Sequence, residues 1–248
     1  MVGESGDDLL DGGRGFDYID YAGAASGIVA DTDLDRVRGQ GVDSIPDVEG
    51  IFGSKRADRM TGSDTADDFF GGRGRDVLST GGGNDVVAGG RGPDALDGGD
   101  GVTDIVQFFD ATGGVEIDLA ANTVSGAETD SIVGFEQAGG SGFDDLILGT
   151  DAANELFGGY GDDELRGRGG NDSIEGSGHD DFLAGDAGDD SLNGGPGTDV
   201  ADGGDGTDSC RATETTLNCE SLRSQHRVSA GRSLLGVLRD GRSRYPHR

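Results

Sequence analysis

A nine-residue repeat constrains this chain more than any other feature of its sequence. Residues 71–79 read GGRGRDVLS, which gives the pattern G-G-x-G-x-D-x-U-x, where U is apolar. The pattern continues without a gap through 80–88 and 89–97, and eight contiguous units run from Gly140 to Arg211. Because tandem recurrence at a fixed period is typical of solenoids, each unit is expected to repeat one supersecondary structure.

Each nonapeptide predicts a six-residue turn followed by a very short strand, x-U-x. Alternation along that strand places U on one face and its two neighbours on the other. Such a short strand is not stable alone, so we expect two units to complete one coil. Each residue would then stack on the residue eighteen positions later, about 4.8 Å away. Glycine at positions 1, 2 and 4 would permit positive φ and close packing of the turns.

A longer repeat is superimposed on the nonapeptide. A shift of 87 residues aligns Asp43-Ser44-Ile45 with Asp130-Ser131-Ile132, and Glu49 with Glu136, without a gap. The predicted fold is therefore an all-β parallel β-roll (β-solenoid) containing two copies of an 87-residue module. Its predicted segments are N-terminal β-roll repeats (1–20), a short-strand inter-block segment (21–52), a first β-roll block (53–104), a second inter-block segment (105–139), a second β-roll block (140–211), a Cys-containing cap (212–222) and a basic disordered tail (223–248).

The composition limits the classes of function. The chain has 51 Gly among 248 residues, and 49 Asp and Glu against 19 Lys and Arg, for a formal net charge of −30. So acidic a chain argues against nucleic acid as a partner. No apolar run is long enough to predict a transmembrane segment. No H-E-x-x-H, G-x-S-x-G or P-loop motif occurs, so we expect no enzymatic activity.

The sixth position of the repeat predicts a metal site. Stacked Asp side chains about 4.8 Å apart would repel by roughly 3 kcal/mol per pair at an effective dielectric of 20. Burial of one U side chain stabilises the fold by only about 1.5–3 kcal/mol, so the coil is not expected to close without a bound cation. Ca²⁺ between successive coils would reverse the balance, since a flexible shell of carboxylate and carbonyl oxygens suits it better than Mg²⁺. The candidate metal ligands are Asp8, Asp17, Asp58, Asp67, Asp76, Asp85, Asp94, Asp145, Asp163, Asp172, Asp181, Asp190, Asp199 and Asp208.

The nonapeptide resembles the haemolysin-type (RTX) calcium-binding repeat of exported bacterial proteins, and the resemblance covers most of residues 3–211. It implies a parallel β-roll in which sixth-position Asp side chains and turn carbonyls hold several Ca²⁺ ions between adjacent turns. It also implies that the chain is disordered where calcium is scarce and folds after export, so an extracellular location is expected. The export route stays open.

Several units depart from the family pattern. Asn154 stands at a sixth position, Thr103 stands at the sixth position of the unit that begins at Gly98, and His179 occupies a glycine position. The units of Asp58 and Asp67 have lost glycines, so we expect weaker sites there.

The chain has two cysteines. Cys210 lies at the eighth position of the last repeat unit, and Cys219 follows that unit. We expect a disulfide that fixes the end of the roll and implies an oxidising compartment, with free thiols as the alternative.

The predicted function is calcium binding with calcium-induced folding of an exported structural module. One alternative is the accessory C-terminal module of a secreted enzyme whose catalytic domain is absent from this sequence. Another is a calcium-dependent surface adhesin or spacer with a cell-surface or polysaccharide partner. The sequence itself names no substrate, partner or oligomeric state.

Overall fold

The computed structural model describes residues 1–3 and 5–219, and these residues form a parallel β-solenoid without a helix. The predicted all-β parallel β-roll is thereby confirmed. The predicted tail (223–248) and the last residues of the predicted cap lie outside the described residues.

The strands are short, as the three-residue x-U-x segments predict. In chain order they are β1 (Tyr18–Asp20), β2 (Val29–Asp31), β3 (Arg36–Arg38), β4 (Val42–Ser44), β5 (Gly50–Phe52), β6 (Arg59–Thr61), β7 (Asp68–Arg73), β8 (Val77–Ser79), β9 (Gly82–Gly83), β10 (Val86–Arg91), β11 (Ala95–Asp97), β12 (Asp100–Gly101), β13 (Ile105–Gln107), β14 (Val115–Asp118), β15 (Thr123–Gly126), β16 (Ser131–Val133), β17 (Gln137–Gly139), β18 (Leu146–Leu148), β19 (Glu155–Tyr160), β20 (Glu164–Arg166), β21 (Ser173–Gly178), β22 (Phe182–Ala184), β23 (Ser191–Asn193), β24 (Val200–Asp202), β25 (Ser209–Arg211) and β26 (Thr215–Leu217).

Two long sheets run along the solenoid. The ten-stranded sheet has the order β1-β5-β7-β10-β13-β17-β19-β21-β23-β25, and all its strands are parallel. The fourteen-stranded sheet has the order β26-β24-β22-β20-β18-β14-β15-β16-β11-β8-β6-β2-β3-β4. Strands β9 and β12 form a third, two-stranded sheet.

The register of the sheets confirms the predicted eighteen-residue stacking. Phe69 pairs with Val87 in the ten-stranded sheet, and Leu165 pairs with Leu183 in the fourteen-stranded sheet. Two successive nonapeptides therefore complete one coil, because their strands fall alternately in the two sheets.

Two antiparallel excursions interrupt the parallel pattern of the fourteen-stranded sheet. Strands β2, β3 and β4 form one of them, and β14, β15 and β16 form the other. Strand bounds on either side recur 87 residues apart, as in β5 and β17, or β7 and β19. That recurrence follows the superimposed repeat of the sequence, and the division into two module copies stays a prediction.

The core is a thin double ladder of the eighth-position residues. Except for Leu10 and Cys210, which are partly buried against the core, these side chains are no more than 2 % exposed, and they form one hydrophobic cluster with residues of the inter-block segments. Alternation in a three-residue strand explains the pattern, because only the central side chain points inward. The ladder members are Ile19, Met60, Phe69, Leu78, Val87, Leu96, Ile147, Leu156, Leu165, Ile174, Leu183, Leu192 and Ala201.

Many of the turns have a left-handed backbone at positions 2 and 4 of the repeat. Gly72 and Gly74 have φ of 97° and 150°. His179, which replaces glycine at position 4, adopts the same region with φ of 84°. Glycine is common at these positions because it adopts positive φ without strain.

At the C-terminal end, Cys210 and Cys219 form a disulfide whose Cα atoms lie 5.9 Å apart. Cys210 pairs with Leu192 in the ten-stranded sheet, so the bond ties the segment after the last repeat to the end of the coil stack.

Candidate metal centre

The sixth-position carboxylates lie in two columns inside the turns. Asp8 and Asp17, near the N-terminal end, are half-buried. All the other predicted ligands are buried, although a charged side chain is rarely buried without a partner. These buried residues are Asp58, Asp67, Asp76, Asp85, Asp94, Asp145, Asp163, Asp172, Asp181, Asp190, Asp199 and Asp208.

One carboxylate oxygen has a recurring partner in the neighbouring coil. The backbone N–H of Asp76 donates to Oδ1 of Asp94 at 2.7 Å, and the N–H of Asp163 donates to Oδ1 of Asp181 at 3.0 Å. Each such bond joins residues eighteen apart, so the carboxylates stack as the sequence predicts. The same bond links the pairs Asp58–Asp76, Asp67–Asp85, Asp145–Asp163, Asn154–Asp172, Asp172–Asp190, Asp181–Asp199 and Asp190–Asp208.

The second oxygen, Oδ2, is buried without a hydrogen-bond partner along most of both columns. A buried anionic oxygen without a donor is costly, because its lost hydration is not replaced. Such an arrangement indicates that a cation belongs beside these oxygens. The affected residues are Asp76, Asp85, Asp94, Asp104, Asp130, Asp163, Asp172, Asp181, Asp190 and Asp199.

Backbone carbonyls complete an all-oxygen cradle next to Oδ2. The position that a Cβ on Gly71 would take lies 2.6 Å from Oδ2 of Asp76 and 2.5 Å from the carbonyl oxygen of Gly89, one coil further on. Glycine at position 1 keeps this space open. Because carboxylate and carbonyl oxygens are the ligands that Ca²⁺ prefers, the residues fit calcium. The same arrangement recurs beside Gly158, Gly185 and Gly194.

The acidic side chains form columns rather than a compact cluster. Within residues 1–3 and 5–219, no three His, Cys, Asp or Glu side chains come together as a preformed metal site. An ion between coils would therefore take carboxylate oxygens from adjacent coils and the rest of its shell from turn carbonyls and water.

The first units of each block satisfy their carboxylate in another way. Ser54 donates its N–H to Oδ2 of Asp58 at 2.6 Å and its hydroxyl to Oδ1 at 2.8 Å. Ser141 bonds Asp145 similarly. Ser63 donates both its N–H and its hydroxyl to Asp67. These internal donors give a physical reason for the expectation that Asp58 and Asp67 bind calcium weakly, and they extend it to Asp145.

Burial raises the pKa of many column carboxyls. The pKa of Asp76 rises to about 7 and that of Asp163 to about 8, chiefly because burial disfavours the charged form. Neighbouring carboxylates of the same column raise both values further. Asp76 and Asp163 are therefore partly protonated near neutral pH when no metal neutralises them. Burial likewise raises the pKa of Asp130 to about 7 and those of Asp67, Asp104, Asp172 and Asp181 to about 6.

One sequence assignment is corrected. Asp104, rather than Thr103, occupies the sixth position of its unit: it is fully buried, and its Oδ1 accepts the N–H of Asp85 at 2.9 Å. The separation is 19 residues instead of 18, so one inserted residue displaced the pattern. The column is continuous where the sequence suggested a gap.

The inter-block segments supply further column members that sequence reasoning missed. Oδ1 of Asp130 accepts the N–H of Asp94 at 2.7 Å, and Oε2 of Glu136 accepts the N–H of Asp104 at 3.1 Å. The 87-residue alignment contained the signal, since it paired these residues with Asp43 and Glu49. The equivalent bonds join Asp8 to Asp43, Asp17 to Glu49 and, at the C-terminal end, Asp199 to Glu214.

The family model of the RTX calcium-binding nonapeptide repeat, which describes four copies, matches more than half of the chain. The matched residues are 1–20, 51–78, 79–102, 139–174 and 175–210. A search of the curated proteins finds no match. No helix among the described residues has the length and hydropathy needed to cross a membrane.

Proposed function

Since this chain belongs to the RTX calcium-binding nonapeptide repeat family, we propose that it folds by binding several Ca²⁺ ions between successive coils. The observation that carries the proposal is the row of buried Oδ2 atoms without hydrogen-bond partners, several of which lie next to a turn carbonyl. A divalent cation there neutralises carboxylates of two coils at once, so ion binding and coil closure are one event.

The proposed ligands are the sixth-position Asp residues together with the column members of the inter-block segments. The strongest support is for residues that have both a buried Oδ2 without a donor and a turn carbonyl beside it, namely Asp76, Asp163, Asp172, Asp190 and Asp199. Glu128 lies next to this set: it is buried, it accepts the Gly92 N–H, and its charge raises the pKa of Asp94. We therefore include Glu128 as a further oxygen ligand near Asp130.

We further propose that the module is structural, without catalytic activity of its own, and acts outside the cell. RTX repeat proteins are typically secreted, and extracellular fluid supplies calcium at concentrations that fill sites of modest affinity. The disulfide between Cys210 and Cys219 agrees with an oxidising compartment.

Asn154 offers a gain-of-function test. Its Oδ1 accepts the Thr150 N–H at 2.6 Å, and its Nδ2 donates to the carbonyl oxygen of Glu136 at 3.0 Å, in the place where other units have carboxylates. Asn154→Asp replaces that donor by an anionic oxygen and frees the Glu136 carbonyl. We expect calorimetric titration up to millimolar Ca²⁺ to show one more, weakly bound ion per chain, because Thr150 donates its N–H and hydroxyl to this position as Ser54 does to Asp58.

The control is Asn171→Asp, which makes the same chemical change at an exposed fifth position. Oδ1 of Asn171 accepts the Asp189 N–H, outside the column. This variant is expected to leave the number of ions unchanged. An equal gain in both variants would contradict the assignment of the columns, and a wild-type chain that binds no calcium would overturn the proposed function.

A further inference from the structure

A row of aromatic side chains covers the outer face of the ten-stranded sheet near its N-terminal end. The rings of Phe52 and Phe70 stack with centroids 4.7 Å apart. Tyr18 lies 5.7 Å from Phe52, and Phe109 lies 6.4 Å from Phe70. Phe16 extends the row beyond Tyr18, with ring centroids 5.3 Å apart.

These rings are accessible. Phe16 is 44 % exposed, Phe52 39 % and Phe109 59 %, so the row is a contiguous apolar patch rather than part of the core. A large exposed apolar patch on a polar protein marks an interaction surface. The hydroxyl of Tyr18 donates to Asp68, which anchors this ring of the row to strand β7.

Three cations run parallel to the aromatic row. Lys55, Arg73 and Arg91 occupy the third position of repeat units eighteen residues apart, and all three are exposed. Arg73 and Arg91 are directly opposite each other in the sheet register. Within the described part of the chain, none of the three makes an ion pair with a carboxylate. Like charges directly opposite on neighbouring strands are destabilising.

Two rings of the aromatic row and the three cations line one groove. Phe52 and Phe70 share its lining with Lys55, Arg73 and Arg91, and Gly53, Ser54 and Gly72 complete it. Ala22 and Asp110 also contribute to the lining, and Asp110 is its one acidic residue among those described. The groove follows the stacking direction of the coils, so its cations recur about every 4.8 Å.

The repeat does not need these cations. The positions 87 residues later, in the second block, are Gly142, Tyr160 and Gly178, and the coil there has the same strands. The stacked cations of the first block therefore repel one another locally, and the fold does not require that repulsion. An anionic ligand in the groove would offset that repulsion.

We propose that this groove binds a linear polysaccharide that carries carboxylates at intervals along its chain. The apolar faces of the sugar rings would pack on the aromatic row, and the carboxylates would pair with Arg73, Arg91 and Lys55, Arg in bidentate geometry. A sparsely charged polymer suits the groove better than nucleic acid, whose denser phosphate charge the acidic remainder of the chain repels more strongly.

The proposal goes beyond calcium binding, and its test is made on the folded chain in saturating Ca²⁺. The probe is hyaluronate, a linear polysaccharide with regularly spaced carboxylates. The triple variant Lys55→Gln/Arg73→Gln/Arg91→Gln is expected to weaken hyaluronate binding by at least about tenfold, as loss of charge-assisted hydrogen bonds does. The control Arg36→Gln/Arg38→Gln/Arg59→Gln removes the same charge from exposed positions of the fourteen-stranded sheet and is expected to change binding less than about twofold.

Phe52→Ala tests the aromatic lining of the groove, because Phe52 lines it and is 39 % exposed, so its loss should not prevent folding. About tenfold weaker binding is expected. Equal weakening by the two triple variants would overturn the groove in favour of a general charge effect. Tighter binding of single-stranded poly(dT) than of hyaluronate would assign the groove to nucleic acid instead. Folded, calcium-loaded protein that binds no hyaluronate would overturn the inference and leave the calcium function intact.

Discussion

Excess chelator at about pH 7.5 is expected to abolish the β structure of the chain, and Ca²⁺ in the about millimolar range is expected to restore it cooperatively. The reason is the stacking of ionised carboxylates, each pair of which repels by roughly 3 kcal/mol at an effective dielectric of 20. Burial of each small eighth-position side chain stabilises the fold by only about 1.5–3 kcal/mol. Circular dichroism during the titration measures the change.

Low pH is expected to stabilise the fold partly when calcium is absent, because protons neutralise the column carboxylates. The pKa of Asp76 is raised to about 7 and that of Asp163 to about 8 in the folded state, above the ordinary Asp value in an unfolded chain. The folded state therefore binds more protons, and its stability without calcium rises as the pH falls from about 8 toward 4. Chelated protein should thus keep more β structure at about pH 5 than at about pH 7.5. Equal β content with and without calcium, or a chelated protein more stable at the higher pH, would contradict the account.

Asp163→Asn is expected to be the most damaging conservative substitution among the column residues. Asp163 is buried between Asp145 and Asp181, and its Oδ2 has no hydrogen-bond donor. In saturating calcium the variant should lose at least one bound ion and about 3–5 kcal/mol of unfolding free energy, the usual cost of breaking a buried charge pair. Native mass spectrometry counts the ions, and urea unfolding measures the stability.

The control is the neighbouring Asp162→Asn. Asp162 is exposed, and its Oδ1 accepts the Asp180 N–H at 3.2 Å, a bond that an amide oxygen can also accept. This variant should change the unfolding free energy by less than about 0.5 kcal/mol. In excess chelator, Asp163→Asn is expected to increase the β content instead of lowering stability, because it removes one repelling charge from the column. Two outcomes would show that the column does not hold the ions. One is an equal loss of stability in the Asp162→Asn and Asp163→Asn variants. The other is that Asp163→Asn destabilises the fold both with and without calcium.

The period of nine predicts most of this fold from sequence because it fixes both the core and the columns. A three-residue strand with one apolar centre has one way to face inward, so Leu78 or Leu165 could be assigned to the core directly. Eighteen-residue stacking then predicts that Asp76 lies next to Asp94 in one column. These features are local and repeat many times, so the pattern tolerates an occasional lost glycine.

The remainder depended on features that a strict period does not contain. Asp104 was missed because one inserted residue shifts its unit, while the turn absorbs the insertion. Asp130 and Glu136 were missed because their units have lost most glycines and because β14, β15 and β16 pair antiparallel. Alternation of apolar and polar residues identifies a strand but does not show which strand it pairs with. The two antiparallel excursions could therefore not be predicted from the sequence. Ser54 and Ser141 look like simple losses of glycine, but each supplies donors to its own carboxylate.

The most direct test is anomalous diffraction from crystals grown in calcium, which locates each ion. The account predicts two rows of calcium peaks inside the turns, spaced about 4.8 Å apart along the coils, each beside a column oxygen such as Oδ2 of Asp76 or Asp163. Calcium found only at exposed fifth-position acids such as Asp162, with no peak beside the buried column oxygens, would contradict it.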